Sequence, residues 1–281
     1  MKKTVFALLL ALAMLASACA APAAPAATVA PTAAPTAAPT PELTAAPTPA
    51  PVELNVLAAA SLTDVMQVIA QGYKAVAPNV TLTFTFDSSG TLQKQIENGA
   101  PADVFFSAAQ KQMTALKDGG LTADDTIRSL LTNKAVLIVP ADSTKDITSF
   151  ADVATDKVKM VALGEASVPV GQYAQDIFTK LGTWDAVKAK GNFGANVRAV
   201  LTWVEGGDVD CGVVYATDAA ISTKVKVVAE APADASTPIV YPAAVLKNSK
   251  SPAEAKAFLD YLSGPEAVKA FEAAGFGIYQ S

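Results

Sequence analysis

Leu54-Asn-Val-Leu-Ala-Ala-Ala-Ser-Leu-Thr-Asp-Val-Met66 joins a strand directly to a helix. It opens as an apolar strand from Leu54 to Leu57, crosses three alanines and turns at Ser61 into a helix. Leu62, Val65, Met66, Ile69, Tyr73 and Val76 follow the i, i+3, i+4, i+7 spacing of a helix with one buried face. Ser61 then falls at the expected N-cap, where a hydroxyl and free backbone N–H groups point out of the helix end. The arrangement recurs further on. Strand Val80 to Phe86 enters Ser88-Ser89-Gly90, and Thr91, Leu92 and Ile96 begin a second helix with Ser89 as its expected cap. Two serine-capped helix starts, each at the carboxyl end of a strand, make a receptacle for an oxyanion.

Strands and helices continue to alternate outward from this pair, the pattern of sheets flanked by helices. Strand Val104 to Phe106 precedes a helix over Gln110 to Lys117, and strand Ala135 to Val139 closes at Pro140. Strand Val158 to Leu163 precedes a helix beginning near Gly171, and a further helix starts at Val197. Strands Cys211 to Tyr215, Val225 to Ala229 and Ile239 to Leu246 follow, then two helices opened by Pro252 and Pro265, where a missing N–H costs nothing. The middle of the chain holds its own βα set. We therefore expect one discontinuous lobe, residues 52–133 with 239–281, an inserted lobe, residues 134–238, and a ligand cleft between them.

The first fifty or so residues have a different character. Lys2 and Lys3 precede the apolar run Val5 to Leu15 and the small residues Ala16-Ser17-Ala18-Cys19, the layout of a signal peptide over residues 1–19. The run is too short for a mature membrane span. A cysteine directly after small residues indicates lipoprotein processing with Cys19 acylated, although Ala16 stands where such signals usually carry leucine. Residues 20–51 are almost entirely Ala, Pro and Thr and have no large side chain to bury, so they are expected to form a disordered tether. At about 3 Å per residue it would reach on the order of 100 Å.

Composition excludes several functions. Histidine is absent from all 281 positions, which removes Ser–His–Asp and Cys–His catalysis and every His-containing metal site. The net charge is −5, and Arg128 and Arg198 are the only arginines, so no basic surface suits nucleic acid. With Cys19 acylated, Cys211 has no partner for a disulfide and serves as a small buried hydrophobe.

The segments Ala58 to Met66, Ser88 to Leu92 and Gly99-Ala-Pro-Ala-Asp-Val-Phe105 resemble the molybdate-binding proteins of ABC importers. So do Val168-Pro-Val-Gly-Gln-Tyr-Ala174, Asn196-Val-Arg198, Gly212-Val-Val-Tyr-Ala-Thr-Asp-Ala219, Gly264-Pro-Glu-Ala267 and the region of Tyr279. The resemblance covers essentially everything after residue 52, in order. It implies a two-lobed α/β type II periplasmic-binding-protein fold, each lobe a mixed sheet flanked by helices. Its ligand contacts fall on Ser61 and Ser89 through hydroxyl and backbone N–H, on the backbone N–H of Val170 and Val197, and on the hydroxyl of Tyr215. The same five residues would hold the metal as its oxyanion. Two positions depart from the family: Val170 stands where alanine is usual, and Asp87 where a small residue is common. We expect Asp87 to turn outward and help the chain enter its helix.

The resemblance implies a monomeric extracytoplasmic receptor, lipid-anchored to the cell membrane. It would bind molybdate and tungstate and deliver them to the permease and ATPase of an ABC importer, with no cofactor and no catalysis. Chemistry agrees, because these tetrahedral dianions carry no proton at neutral pH and call for donors alone. Hydrogen phosphate wants an acceptor, and Asp87 is the nearby candidate, so phosphate stays an alternative ligand, as does the smaller sulfate. A Ser/Lys hydrolase is the alternative from another class. Arg198 is expected to pair with a carboxylate, and Asp218 to support a helix dipole.

Overall fold

The computed structural model describes residues 50–280, so the signal peptide, Cys19 and the tether up to residue 49 lie outside the described residues. In chain order the strands are β1 (Val52–Ala59), β2 (Val80–Asp87), β3 (Val104–Phe106), β4 (Arg128–Asn133), β5 (Ala135–Pro140) and β6 (Val161–Gly164). They continue as β7 (Gly191–Gly194), β8 (Cys211–Tyr215), β9 (Val225–Glu230), β10 (Ile239–Val245) and β11 (Gly277–Ile278). The helices are α1 (Thr63–Val76), α2 (Ser89–Glu97), α3 (Gln110–Asp118), α4 (Pro169–Lys180) and α5 (Trp184–Lys188), then α6 (Val197–Glu205), α7 (Ala216–Ala220), α8 (Pro252–Leu262) and α9 (Pro265–Ala273).

Two sheets form. One has the order β11-β4-β10-β3-β1-β2, the other β7-β6-β8-β5-β9. Both are mixed: β1, β2 and β3 run parallel, as do β6, β7 and β8, whereas β10 and β5 pair antiparallel with their neighbours. The chain leaves the first sheet at Lys134 and returns to it after residues 231–238. Strand β1 lies between β2 and β3 with helices on both faces, so its last four residues are all buried and read as an unbroken apolar run. Leu57 packs with Leu92, Ile96, Phe105, Met113 and Leu116 on the side of α2 and α3. Val56 and Ala58 join Met66, Ile69, Phe258 and Phe271 on the other side.

Helix α1 buries Val65, Met66, Ile69 and Tyr73 as its spacing requires, but Val76, at its last position, is 66 % exposed. Strand β6 begins at Val161, three residues later than expected. Strand β10 carries Pro242 in its interior, and its register against β4 shifts between Tyr241 and Pro242. A proline has no N–H to give the ladder, and the bulge absorbs it while re-aiming the side chains beside it.

Candidate oxyanion site between the sheets

Ser61, Ser89, Val170, Val197 and Tyr215 line one compartment, with Ala59, Ala60, Ser88, Ala108, Val168 and Pro169. Its free space is about 10 Å³, the room one water molecule needs and less than a tetrahedral oxyanion fills. Topology explains the convergence. Ser61 and Ser89 follow the carboxyl ends of β1 and β2, Val170 and Val197 follow β6 and β7, and Tyr215 ends β8. No lining residue is charged.

Both serine caps require correction. Ser61 is the middle residue of a single 3-10 turn, Ala60–Leu62, that leads into α1, and its side chain caps nothing. Its hydroxyl lies 3.0 Å from the Tyr241 hydroxyl instead. The cap of α2 is Ser88, whose Oγ accepts from Thr91 N–H at 3.2 Å. Ser89 is the first helical residue, and its Oγ accepts from Ala108 N–H at 2.8 Å. That contact leaves the Ser89 proton free to be donated. Sequence reasoning missed Ser88 and Tyr241. The serine doublet was a signal for the first, whereas Tyr241 sits in an apolar strand 180 residues from Ser61.

The other sheet supplies amides. In α4 the first i→i−4 bond runs from Gln172 N–H to Val168 O, so Val170 N–H precedes the helical ladder. In α6 the Asn196 side chain accepts from Arg198 and Ala199 N–H, at 3.0 and 3.1 Å, and leaves Val197 N–H uncapped. The Tyr215 hydroxyl is buried with no hydrogen-bond partner among the described residues. Burial pushes its ionisation well above the ordinary tyrosine range, so it remains a neutral donor.

Charges surround the compartment without entering it. Asp87 accepts from Ser88 N–H at 2.7 Å and from Asn196 Nδ2 at 3.2 Å, and does not line the cavity. Arg198 pairs with Asp64 of α1 at 2.6 Å and with Asp218 at 2.7 Å. Asp218 stands in the first turn of α7, the early-helix position expected of it, and is fully buried there against the Arg198 guanidinium. Burial, opposed by Arg198, pushes that carboxyl up to about 7. Gly90 brings the two halves into backbone contact: a Cβ there would lie 2.2 Å from Ser167 O. A larger open groove of about 790 Å³ is lined by Lys111, Tyr173, Asp176 and Tyr279 among others, with charged side chains on its wall.

The family model of bacterial extracellular solute-binding proteins matches residues 54–277. The chain belongs to the bacterial extracellular solute-binding proteins. Among members of related sequence, YvgL of Bacillus subtilis, a candidate ABC transporter substrate-binding lipoprotein, is 45 % identical over 80 % of this chain and 86 % of its own length. The molybdate-binding protein ModA of Haemophilus influenzae is 41 % identical over 80 % of this chain and 89 % of its own. A solved substrate-binding domain of a candidate molybdenum ABC transporter from Clostridium difficile is 43 % identical, with a TM-score of 0.64, 82 % of this chain and 100 % of that one covered. The two mixed sheets with flanking helices are the two-lobed α/β fold of this family of solute-binding proteins.

Proposed function

We propose that this solute-binding protein is an extracytoplasmic receptor that binds molybdate, and tungstate with it, and hands the anion to an ABC importer. The relatives named for molybdate support the ligand. The observation that carries it is the Tyr215 hydroxyl, a buried donor without a partner among the described residues, on the wall of a compartment lined by no charged side chain. We assign binding to the hydroxyls of Ser61, Ser89 and Tyr215 and the amides of Val170 and Val197. A tetrahedral dianion without protons uses every one of them as donors, and helix N-termini offset its charge. Each charge-assisted bond contributes roughly 1.5–3 kcal/mol.

The lobes are residues 52–133 with 239–281 and residues 134–238, and closing them around the anion performs no chemistry. That neither serine is hydrogen-bonded to a lysine among the described residues supports a receptor over a Ser/Lys hydrolase. Acylated Cys19 and the tether would hold this monomeric receptor at the membrane, and Cys19→Ser should release it from the membrane fraction; retention would remove the anchor.

Calorimetric titration of the protein with molybdate, tungstate, sulfate and phosphate tests the ligand. Molybdate and tungstate should bind far more tightly than sulfate. Comparable sulfate affinity would remove the molybdate assignment and leave the receptor class standing.

A further inference from the structure

Asn133 ends β4, where the chain leaves the first sheet. Its Oδ1 accepts from Lys134 N–H at 2.9 Å, which fixes the amide so that its donor end faces inward. That Nδ2 donates to Thr217 Oγ1 at 2.9 Å and to the Tyr241 hydroxyl at 3.2 Å. Tyr241 is completely buried, and its hydroxyl also lies 3.0 Å from Ser61 Oγ. An amide N–H can only donate, so Tyr241 accepts from Asn133. Its own buried proton needs an acceptor, and Ser61 Oγ is within hydrogen-bond distance, so pairing every buried proton makes Tyr241 the donor to Ser61. Ser61 Oγ thereby accepts from behind, and its own proton is turned toward the cavity it lines. Ala108 N–H does the same for Ser89. Both serine hydroxyls are supplied with a donor from the protein side, so both face the cavity as donors.

We infer that Asn133 and Tyr241 are positioning residues that set the direction of the Ser61 proton and so select proton-free oxyanions over proton-bearing ones of similar shape. The inference rests on the reading of the compartment as an oxyanion site, and it deepens that reading by naming what makes the site donor-only. Neither residue lines the cavity. Their effect reaches the ligand through Ser61.

Asn133→Asp reverses the relay with almost no change of shape. One carboxylate oxygen still accepts from Lys134 N–H, and the other can only accept, so the Tyr241 proton turns to it. Tyr241 then accepts from Ser61, and Ser61 shows a lone pair to the cavity. Calorimetry at mildly alkaline pH compares molybdate with hydrogen phosphate. Both anions then carry two charges, and the repulsion added by the new carboxylate cancels in the ratio. The molybdate-to-hydrogen-phosphate affinity ratio should fall by about tenfold or more, the factor that corresponds to about 1.4 kcal/mol. Tyr241→Phe adds no charge and frees the Ser61 hydroxyl to rotate, so the ratio should fall by about threefold to tenfold, within the scale of one neutral hydrogen bond. Should Asn133→Asp fail to fold, Tyr241→Phe decides alone. Equal loss for both anions in Asn133→Asp, or a parental ratio in Tyr241→Phe, overturns the relay. A parent that prefers hydrogen phosphate overturns it too. A parent that prefers sulfate, which also lacks a proton, overturns molybdate as the ligand and leaves the relay standing.

Discussion

Tyr215→Phe should move stability and affinity in opposite directions. The Tyr215 ring is 2 % exposed and packs edge-on against Tyr241 with centroids 5.8 Å apart, a contact that phenylalanine keeps. The hydroxyl is buried and has no partner among the described residues. A buried hydroxyl left unpaired costs about 1–3 kcal/mol of desolvation, so removing it should stabilise the protein in the absence of anion by about 1 kcal/mol or more. For a fold of this size that raises the melting temperature by about 2–4 °C. With molybdate present, the same change deletes a charge-assisted bond of about 1.5–3 kcal/mol, a loss of about 10- to 150-fold in affinity. Differential scanning calorimetry without ligand and titration with it read the two effects separately. A variant that melts below the parent and binds molybdate equally well would show the hydroxyl to be a structural group, and the donor assignment would fall.

Gly90→Ala should keep each lobe folded but prevent their full approach, because the added Cβ meets the backbone oxygen of Ser167, which cannot rotate away. At the overpacking scale of about 1–3 kcal/mol, affinity should fall by about 5- to 150-fold, and small-angle scattering should show the parent contracting with molybdate and the variant not. Parental affinity and contraction would refute this close approach. Stability should also depend on pH. Asp218, raised to about 7 mainly by burial, holds a proton in the folded chain that it releases near pH 4 when unfolded. Its contribution to stability is therefore complete below about pH 4 and is lost as pH rises through the folded value, with a slope of at most about 1.4 kcal/mol per pH unit. The chain has no histidine to mask this window. Thermal melts should weaken from about pH 5 to pH 8, and Asp218→Asn should flatten the trend; a parent that gains stability across that range contradicts the sign.

The αβ rhythm and the strand-to-helix entries were legible because apolar runs and helical spacing depend on local sequence. Elements without such a signal stayed hidden. Strand β7 is Gly-Asn-Phe-Gly at a sheet edge, β11 is two residues long, and α5 and α7 span five residues each. Cap positions were displaced by one register step at Ser88 and lost at Ser61, since the 3-10 turn before α1 leaves no mark in an Ala-Ser-Leu sequence. The groups behind the site were not legible at all. Asn133 and Ser61 reach the Tyr241 hydroxyl through contacts spanning 108 and 180 residues, and a polar atom in a buried strand announces itself only once its neighbours are known. Arg198 showed the opposite case, since a lone arginine beside a helix start needs a carboxylate wherever the chain supplies one, and both Asp64 and Asp218 do.

The proposed donors divide between the lobes, with Ser61 and Ser89 on one and Val170, Val197 and Tyr215 on the other, so neither half surrounds a tetrahedral anion alone. Observed affinity is then the intrinsic affinity of the closed form multiplied by the fraction of molecules that are closed. Contacts between the lobes set that fraction. The Arg198–Asp64 pair joins side chains 25 % and 59 % exposed, and exposed ion pairs contribute about 0–1 kcal/mol and weaken with salt. The Asp87–Asn196 bond at 3.2 Å is partly buried and belongs to the same class of modest contact. The latch alone therefore holds the lobes lightly, and the larger share of the driving force for closure has to come from the anion's own bonds to both sides. Such a division suits a receptor that must also release its cargo: with the anion gone, the lobes stay joined by these modest polar contacts, by Asn133–Thr217 at 2.9 Å and by the Tyr215–Tyr241 ring packing.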